Sequence, residues 1–167
     1  MIRIEVIKHQ DCSDSCLTEI SHFKNLNWKY PLESHLEWIR TNLKDDDHHI
    51  LLYDDNVMVA YLNMVRVTVS DETNSWEAYG IGNVCVHPKA KGIGYGQLIM
   101  AAAKIYCKKN NTLGILFCQD KNIGFYTSCK WHLFVGKLKD RDQAECHINL
   151  FSTTNLDSEI LSTNRDF

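Results

Sequence analysis

The chain has no long apolar run. Hydrophobic residues make up 44% of its 167 positions, yet no stretch approaches the ~20 residues of a membrane span. The opening MIRIEVIKHQD turns polar by Lys8 and has no signal-peptide core. These absences predict a cytoplasmic protein with no membrane partner. A positive excess is missing as well. The formal net charge is −3, whereas proteins that grip nucleic acid usually carry a clear basic field, so a nucleic-acid partner is not expected. Internal repeats, low-complexity stretches and linkers are also lacking. The length suits a single domain spanning 1–167 with a sizeable core.

Cysteine pairs at metal-binding spacing are absent. The seven cysteines are Cys12, Cys16, Cys85, Cys107, Cys118, Cys129 and Cys146. They are irregularly spaced, form no CxxC, and several sit in strand-like runs such as NVCV and ILFC. They read as reduced, buried thiols. Cys129-x-x-His132, His48-His49 and Cys146-His147 raise the question of a metal. None is followed by a second ligand pair at a zinc-like spacing, so no metal is expected.

What the chain does have is a sequence of short periodic segments. IRIEVIK (Ile2 to Lys8) alternates as a strand whose mostly apolar face is Ile2, Ile4 and Val6. A helix is predicted from Asp11 to Phe23. A second follows, with Pro31 in its first turn and Leu32, Leu36, Ile39 and Leu43 at helical spacing. ILLYDDNVMVAYLNMVRVTV reads as two strands around a turn at Asp54-Asp55-Asn56. SDETNS is a loop, and WEAYGIGNVCV is a further strand. Gly80 and Gly82 inside it point to a bulge or a close backbone approach. A helix is predicted from about Tyr95 to Lys109, with Leu98, Ala102 and Ile105 as its apolar stripe and Lys104, Lys108 and Lys109 near its end. TLGILFCQ is a buried strand, KNIGFYTSC a short helix, and WHLFVGKL with ECHINLFS a closing pair of strands. The polar tail from Thr153 is ambiguous. The order β-α-α-β-β-β-α-β-α-β-β describes a mixed α/β domain.

Acidic residues cluster at Asp45–Asp47, Asp54-Asp55, Asp71-Glu72 and Asp140–Asp142. Each reads as a solvated loop, or as part of a site for a cation. Glycine is scarce, with eight residues in all, yet Gly92, Gly94 and Gly96 fall within VHPKAKGIGYGQLIMAAAKIY. They lie between a predicted strand and a helix N-terminus. There the first backbone N–H groups lack partners and carry a partial positive charge. Glycines remove the Cβ atoms that would obstruct a bulky anion, and Lys89 and Lys91 add charge. The arrangement suits a pyrophosphate. It also suits a glycine-rich turn with no ligand. A Walker loop is absent, and the spacing G-x-G-x-G is not the G-x-G-x-x-G of a Rossmann turn.

VCVHPKAKGIGYGQLI resembles the acyl-CoA-binding motif of the GNAT (GCN5-related) N-acetyltransferases. Lys89 stands where that family has Gln or Arg, and Gly92 and Gly94 match its two glycines. NIGFYTSCKW (Asn122 to Trp131) resembles the family's later motif, with Tyr126 on the tyrosine and Trp131 on the final aromatic. Lys130 replaces the usual glycine, so the turn there is expected to differ. By element order the resemblance covers roughly Ile50 to Phe151, and the N-terminal strand and helices also fit.

The resemblance implies a GNAT fold, a mostly antiparallel twisted sheet of six to seven strands flanked by about four helices. It implies acetyl-CoA as co-substrate. Lys91, Gly92, Ile93, Gly94, Tyr95 and Gly96 would wrap the pyrophosphate. The main chain of Val84, Cys85 and Val86 would bond the pantetheine arm, and Asn122 joins the cofactor set. The implied reaction moves an acetyl group to a primary amine by direct attack in a ternary complex. A backbone N–H near Val86 would hold the oxyanion, and Tyr126 would protonate the leaving thiolate. Glu77 is either a base acting through water or a strand-start surface residue, and Glu72 is a weaker candidate. Cys85 sits mid-strand with no evident His partner, so a buried thiol is expected rather than an acyl-enzyme.

The acceptor site is expected at Trp28, Glu72 and Asn83, with Tyr30, Trp38, Asp71, Trp76 and Glu77 adding aromatic and acidic groups. That mixture suits a small cationic amine such as an aminoglycoside or polyamine. The tail NRDF faintly resembles those of some aminoglycoside N-acetyltransferases. A protein N-terminus or lysine remains open as acceptor, and so does a homodimer. The alternative is a domain of the same fold that senses acyl-CoA without turning it over.

Overall fold

The computed structural model describes residues 1–139 and 148–167. The expected acidic cluster at Asp140–Asp142, the Cys146-His147 pair and the start of ECHINLFS lie outside the described residues. The chain forms two compact units, Met1–Val65 with Gly82–Ala102, and Arg66–Ile81 with Ala103–Phe167.

In the first unit, β1 (Ile2–Lys8) leads through a 3-10 turn at His9–Asp11 to helix α1 (Asp14–Asn25). The helix starts later than expected because Ser13 caps it, its Oγ accepting from the Cys16 N–H at 3.2 Å. Its inward face is Leu17, Ile20, Ser21, Phe23 and Lys24. Helix α2 (Leu32–Asn42) begins one residue after Pro31, whose extended ψ of 143° places it at the cap rather than inside the first turn. His35 and Ile39 are its buried residues, and Leu32 and Leu36 are only partly covered.

Strands β2 (His48–Asp54) and β3 (Val57–Ser70) form the expected hairpin. Asp55 at φ 45° and Asn56 at φ 65° take the left-handed conformation that a two-residue turn demands. The run from His48 to Tyr53 is buried throughout, and β1 pairs antiparallel with it from Ile2↔Asp54 to Lys8↔His48. The apolar face expected for β1 stays open, because Ile2, Ile4 and Val6 are 45%, 39% and 40% exposed. Strand β4 (Ser75–Val86) ends in this unit, where helix α3 (Tyr95–Lys109) begins.

The second unit holds the remaining strands. Strand β4 runs parallel to β5 (Leu113–Gln119), and their register ends at Ile81↔Leu116. Strand β5 is followed by helix α4 (Ile123–Ser128). WHLFVGKL is two short strands rather than one, β6 (His132–Leu133) and β7 (Lys137–Leu138). Strand β8 (Ile148–Ser152) pairs antiparallel with both β5 and β6. The tail forms β9 (Ile160–Thr163), parallel to β7 and antiparallel to the end of β3. Four α-helices and mostly antiparallel strands make this the expected mixed α/β fold. No helix among the described residues is long and apolar enough to cross a membrane.

Two expectations need correction. The buried residues of α3 are Gly96, Ile99, Met100, Ala103 and Cys107, while Leu98 and Ile105 are exposed. The helix is apolar around most of its girth near LIMAAA, so the stripe's phase was ambiguous there. Cys107 fixes it. At Gly80 it is a side chain and not a backbone that comes close: a Cβ would fall 2.3 Å from the Phe167 ring. The irregular backbone of β4, however, is at Asn83, with φ 51°.

Where the resembling motif has glycine, Lys130 takes the left-handed conformation. Its φ is 61°, and the bonds Lys130 N–H to Thr127 O and Trp131 N–H to Tyr126 O close the end of α4 at 3.0 and 3.1 Å. A lysine in this conformation costs about 1 kcal/mol relative to glycine. Lys130→Gly is therefore expected to raise unfolding stability by roughly that amount. A urea midpoint that stays put or falls would contradict the assignment.

Candidate functional site

The glycine loop follows β4 directly. Gly92 has φ 83° and Gly94 φ 101°, a region that side chains rarely tolerate. Nothing lies within 4 Å of a Cβ built at either position. Conformation, and not lack of room, therefore requires glycine. The Gly94 carbonyl accepts from the Leu98 N–H at 3.0 Å and opens helix α3. The amides of Tyr95, Gly96 and Gln97 precede the first acceptor-satisfied turn, so they have no partner within the helix. Tyr95 anchors the loop, its hydroxyl donating to the Asp54 carboxylate at the hairpin turn. That bond holds the Asp54 carboxyl below its ordinary range and pushes the Tyr95 phenol up. Lys91, Gly92, Ile93 and Gly94 are exposed. A phosphate group could meet backbone amides there with lysine charge nearby.

Beside the end of β4, in the same unit, lies a cavity of about 480 Å³. Trp28, Tyr30 and Trp38 form its aromatic walls, and Ser34, His35, Asn83 and Lys24 supply its polar groups. Asn83 donates to the buried Asn63 Oδ1 at 2.6 Å. His35 Nε2 lies 3.0 Å from the Trp28 carbonyl oxygen. Lys24 is only 2% exposed. Its ammonium lies 4.3 Å from the centre of the Trp38 ring, and burial pushes its pKa down to about 8. The Cys85 thiol is buried too, and burial pushes it up to about 12. Such a thiol is inert at neutral pH.

Behind β2 runs a chain of polar groups. His9 Nδ1 lies 3.1 Å from His49 Nε2, and His49 Nδ1 lies 2.9 Å from the Tyr61 hydroxyl. Burial pushes His49 down to about 3, with its histidine neighbours adding to the effect. Complete burial raises the Tyr61 phenol far above its usual value. The chain is uncharged at neutral pH. Among the described residues no group of three or more His, Cys, Asp or Glu could hold a metal ion.

In the second unit, Tyr126 is a buried residue of α4. Its ring packs edge-on to Phe125 at 5.0 Å and lies 5.8 Å from Phe151. Burial pushes its phenol well up, so the proton is held. Asn122 caps the same helix without a side-chain cap bond. Glu77 is 62% exposed, with Arg66 at 3.6 Å. Glu72 lines a small pocket of about 150 Å³ with Lys139. Asp71 is occupied locally: its carboxylate accepts from Thr73, Asn74 and Ser158.

The structure thus brings Trp28, Tyr30, Trp38 and Asn83 to one cavity, but its described lining contains no carboxylate. Sequence reasoning missed Lys24, Ser34 and His35. Lys24 had a signal: it stands seven residues after Leu17 and four after Ile20, on the inward stripe of α1.

A sequence model described as the acetyltransferase (GNAT) family matches residues 15–131, more than half of the chain. No curated protein matches it. Among solved structures, Escherichia coli ElaA is similar at 20% identity and TM-score 0.64, covering 91% of this chain and 99% of its own. An acyl-CoA N-acyltransferase from Pseudomonas aeruginosa is similar at 16% identity and TM-score 0.63, with the same coverage, 91% and 99%. Bacillus subtilis N-acetyltransferase YlbP, solved in complex with coenzyme A, is similar at 16% identity and TM-score 0.57, covering 91% and 95%.

The positive φ at Gly94 leads to an expected loss of function without a clash. Gly94→Ala should weaken coenzyme A binding about tenfold, the equivalent of ~1.4 kcal/mol of strain passed to the loop. Calorimetric titration with coenzyme A reads this directly. Unchanged affinity would mean the loop does not hold the phosphates.

Proposed function

The chain belongs to the GNAT family of acetyltransferases, and on that premise we propose that it transfers an acetyl group from acetyl-CoA to a small-molecule primary amine. The observation that carries this reading is the left-handed pair Gly92 and Gly94, set between the end of β4 and the start of α3. The amides from Lys91 to Gly96 receive the pyrophosphate. The main chain of Val84, Cys85 and Val86 lies alongside the pantetheine arm, and Asn122 completes the cofactor contacts. The similarity to YlbP, solved with coenzyme A, supports this choice of ligand.

The chemistry is a direct displacement. The neutral amine attacks the thioester carbonyl carbon, forming the C–N bond. A backbone N–H near Val86 stabilises the oxyanion while it exists. The C–S bond then breaks, and the thiolate takes a proton from Tyr126. The nitrogen gives up one proton in exchange, so the products are an N-acetyl amide and free coenzyme A. The buried phenol of Tyr126, held protonated, suits it to donate. Cys85, a buried and protonated thiol, suits no covalent role.

Glu77 remains the candidate to receive the amine's proton through water. Its exposure and its pairing with Arg66 favour a second reading, a sensor that binds acyl-CoA without turnover. The aminoglycoside or polyamine acceptor expected from the acidic residues draws no support from the cavity, whose described lining carries a cation and no carboxylate. We assign the activity to the cytoplasm and to a single catalytic domain.

Thiol release from acetyl-CoA over a panel of amines tests the reading. Tyr126→Phe should lower kcat about 100-fold and leave the KM for acetyl-CoA unchanged. Full activity in that variant would remove Tyr126 from the mechanism. Tight acetyl-CoA binding with no release for any amine would favour the sensor.

A further inference from the structure

The cavity holds a buried cation with no carboxylate among its described lining residues. Lys24 is 2% exposed, and a lysine that deep ordinarily reaches a carboxylate. Among the described residues none pairs with it. Its ammonium lies over the face of Trp38, which attracts a cation but does not neutralise it. A second donor is unmet close by. Asn83, in the cavity wall, bonds to Asn63, and the fully buried Asn63 Nδ2 has no hydrogen-bond partner. Both unmatched groups are donors. Asn63 does not itself line the cavity, so Lys24 is the group a ligand there would meet, and burial makes its charge costly unless the ligand supplies a partner.

We propose that this cavity binds an acceptor carrying a carboxylate on an apolar or aromatic body, with Lys24 as its counter-ion. As an assignment of acceptor class it rests on the acetyl-transfer reading. The size fits: about 480 Å³ lies in the range that encloses a small organic ligand. The walls fit, since Trp28 and Trp38 offer flat apolar surface. The charge selects among anions. A single ammonium, with no arginine among the described lining residues, matches a monoanionic carboxylate better than a phosphate dianion, which calls for more donors. The position fits as well. Asn83 lines the cavity and immediately precedes Val84, so a ligand anchored at Lys24 lies in the same unit as the strand end assigned to the thioester arm. A polyamine would instead bring like charge to a buried ammonium, which is repulsive.

Binding and turnover are tested separately. Tryptophan fluorescence or calorimetry is read with three probes: 3-phenylpropionate, its neutral amide, and spermidine. The carboxylate should bind about 10- to 100-fold more tightly than the amide, the worth of one charged hydrogen bond. Spermidine should bind most weakly. Lys24→Met removes the charge while keeping the length and should erase the carboxylate's advantage, with amide affinity kept as the sign of an intact fold. Trp38→Leu should weaken both phenyl probes together. Equal binding of acid and amide, tighter binding of spermidine, or a preference that survives Lys24→Met would overturn the proposal.

In parallel, thiol release from acetyl-CoA is compared for phenylalanine and phenylalaninamide, with the acid expected to be faster. A carboxylate preference in binding with no release from any amine would leave the cavity assignment standing and refute acetyl transfer. Release that is as fast with phenylalaninamide, and no preference in binding, would do the reverse.

Discussion

Asn83 holds its backbone at φ 51° within an otherwise extended strand, and the site depends on that departure. Up to Ile81, β4 is committed to β5 through a parallel register. Beyond Asn83 the strand runs on for three residues to Val86. Its side-chain amide is tied to Asn63 at 2.6 Å, which secures a conformation that costs energy outside glycine. The same residue lines the aromatic cavity. One bent position therefore sets both the end of the strand and one wall of the chamber beside it. The His87 N–H then donates to the Val59 carbonyl at 2.9 Å, so the chain is held again just before the glycine loop.

Polar groups are distributed unevenly across the first unit. The His9, His49 and Tyr61 chain is closed on itself and neutral, so it carries little electrostatic tension. Lys24 is the exception. Its burial lowers the affinity for the proton that gives it charge, and among the described residues the Trp38 face lies against it while no carboxylate pairs with it. Stability alone gives no reason to keep such a residue, since an apolar side chain of similar volume is often no worse in a buried site. A ligand that brings the missing negative charge provides one.

Much of the fold could be read from the sequence because local signals were strong. The Asp55-Asn56 turn, the strand from Ile2 to Lys8 and the loop between β4 and α3 all follow from residue types with clear backbone preferences. Regions that failed had weaker local signals. Helix α3 is apolar on several faces, so periodicity could not phase it. WHLFVGKL looked like one strand because the interruption between β6 and β7 is in part a tertiary matter: a Cβ at Gly136 would meet the Glu159 carbonyl oxygen at 2.5 Å. The left-handed glycine loop was legible because a motif of fixed spacing encodes it. The aromatic cavity was legible only in part: Trp28, Tyr30, Trp38 and Asn83 were expected together, but Lys24, Ser34 and His35 were not, because its walls come from segments far apart in sequence. Composition drew attention to Asp71, Glu72 and Glu77, whereas folding occupies Asp71 with its own loop and leaves Glu77 beside Arg66.

We propose that main-chain amides, freed by two left-handed glycines and a strand end, hold the coenzyme. Residue-resolved hydrogen exchange with and without acetyl-CoA tests this most directly. Slowed exchange is expected at the amides from Lys91 to Gly96 and from Val84 to Val86. Binding of acetyl-CoA that left those amides exchanging as before would contradict it.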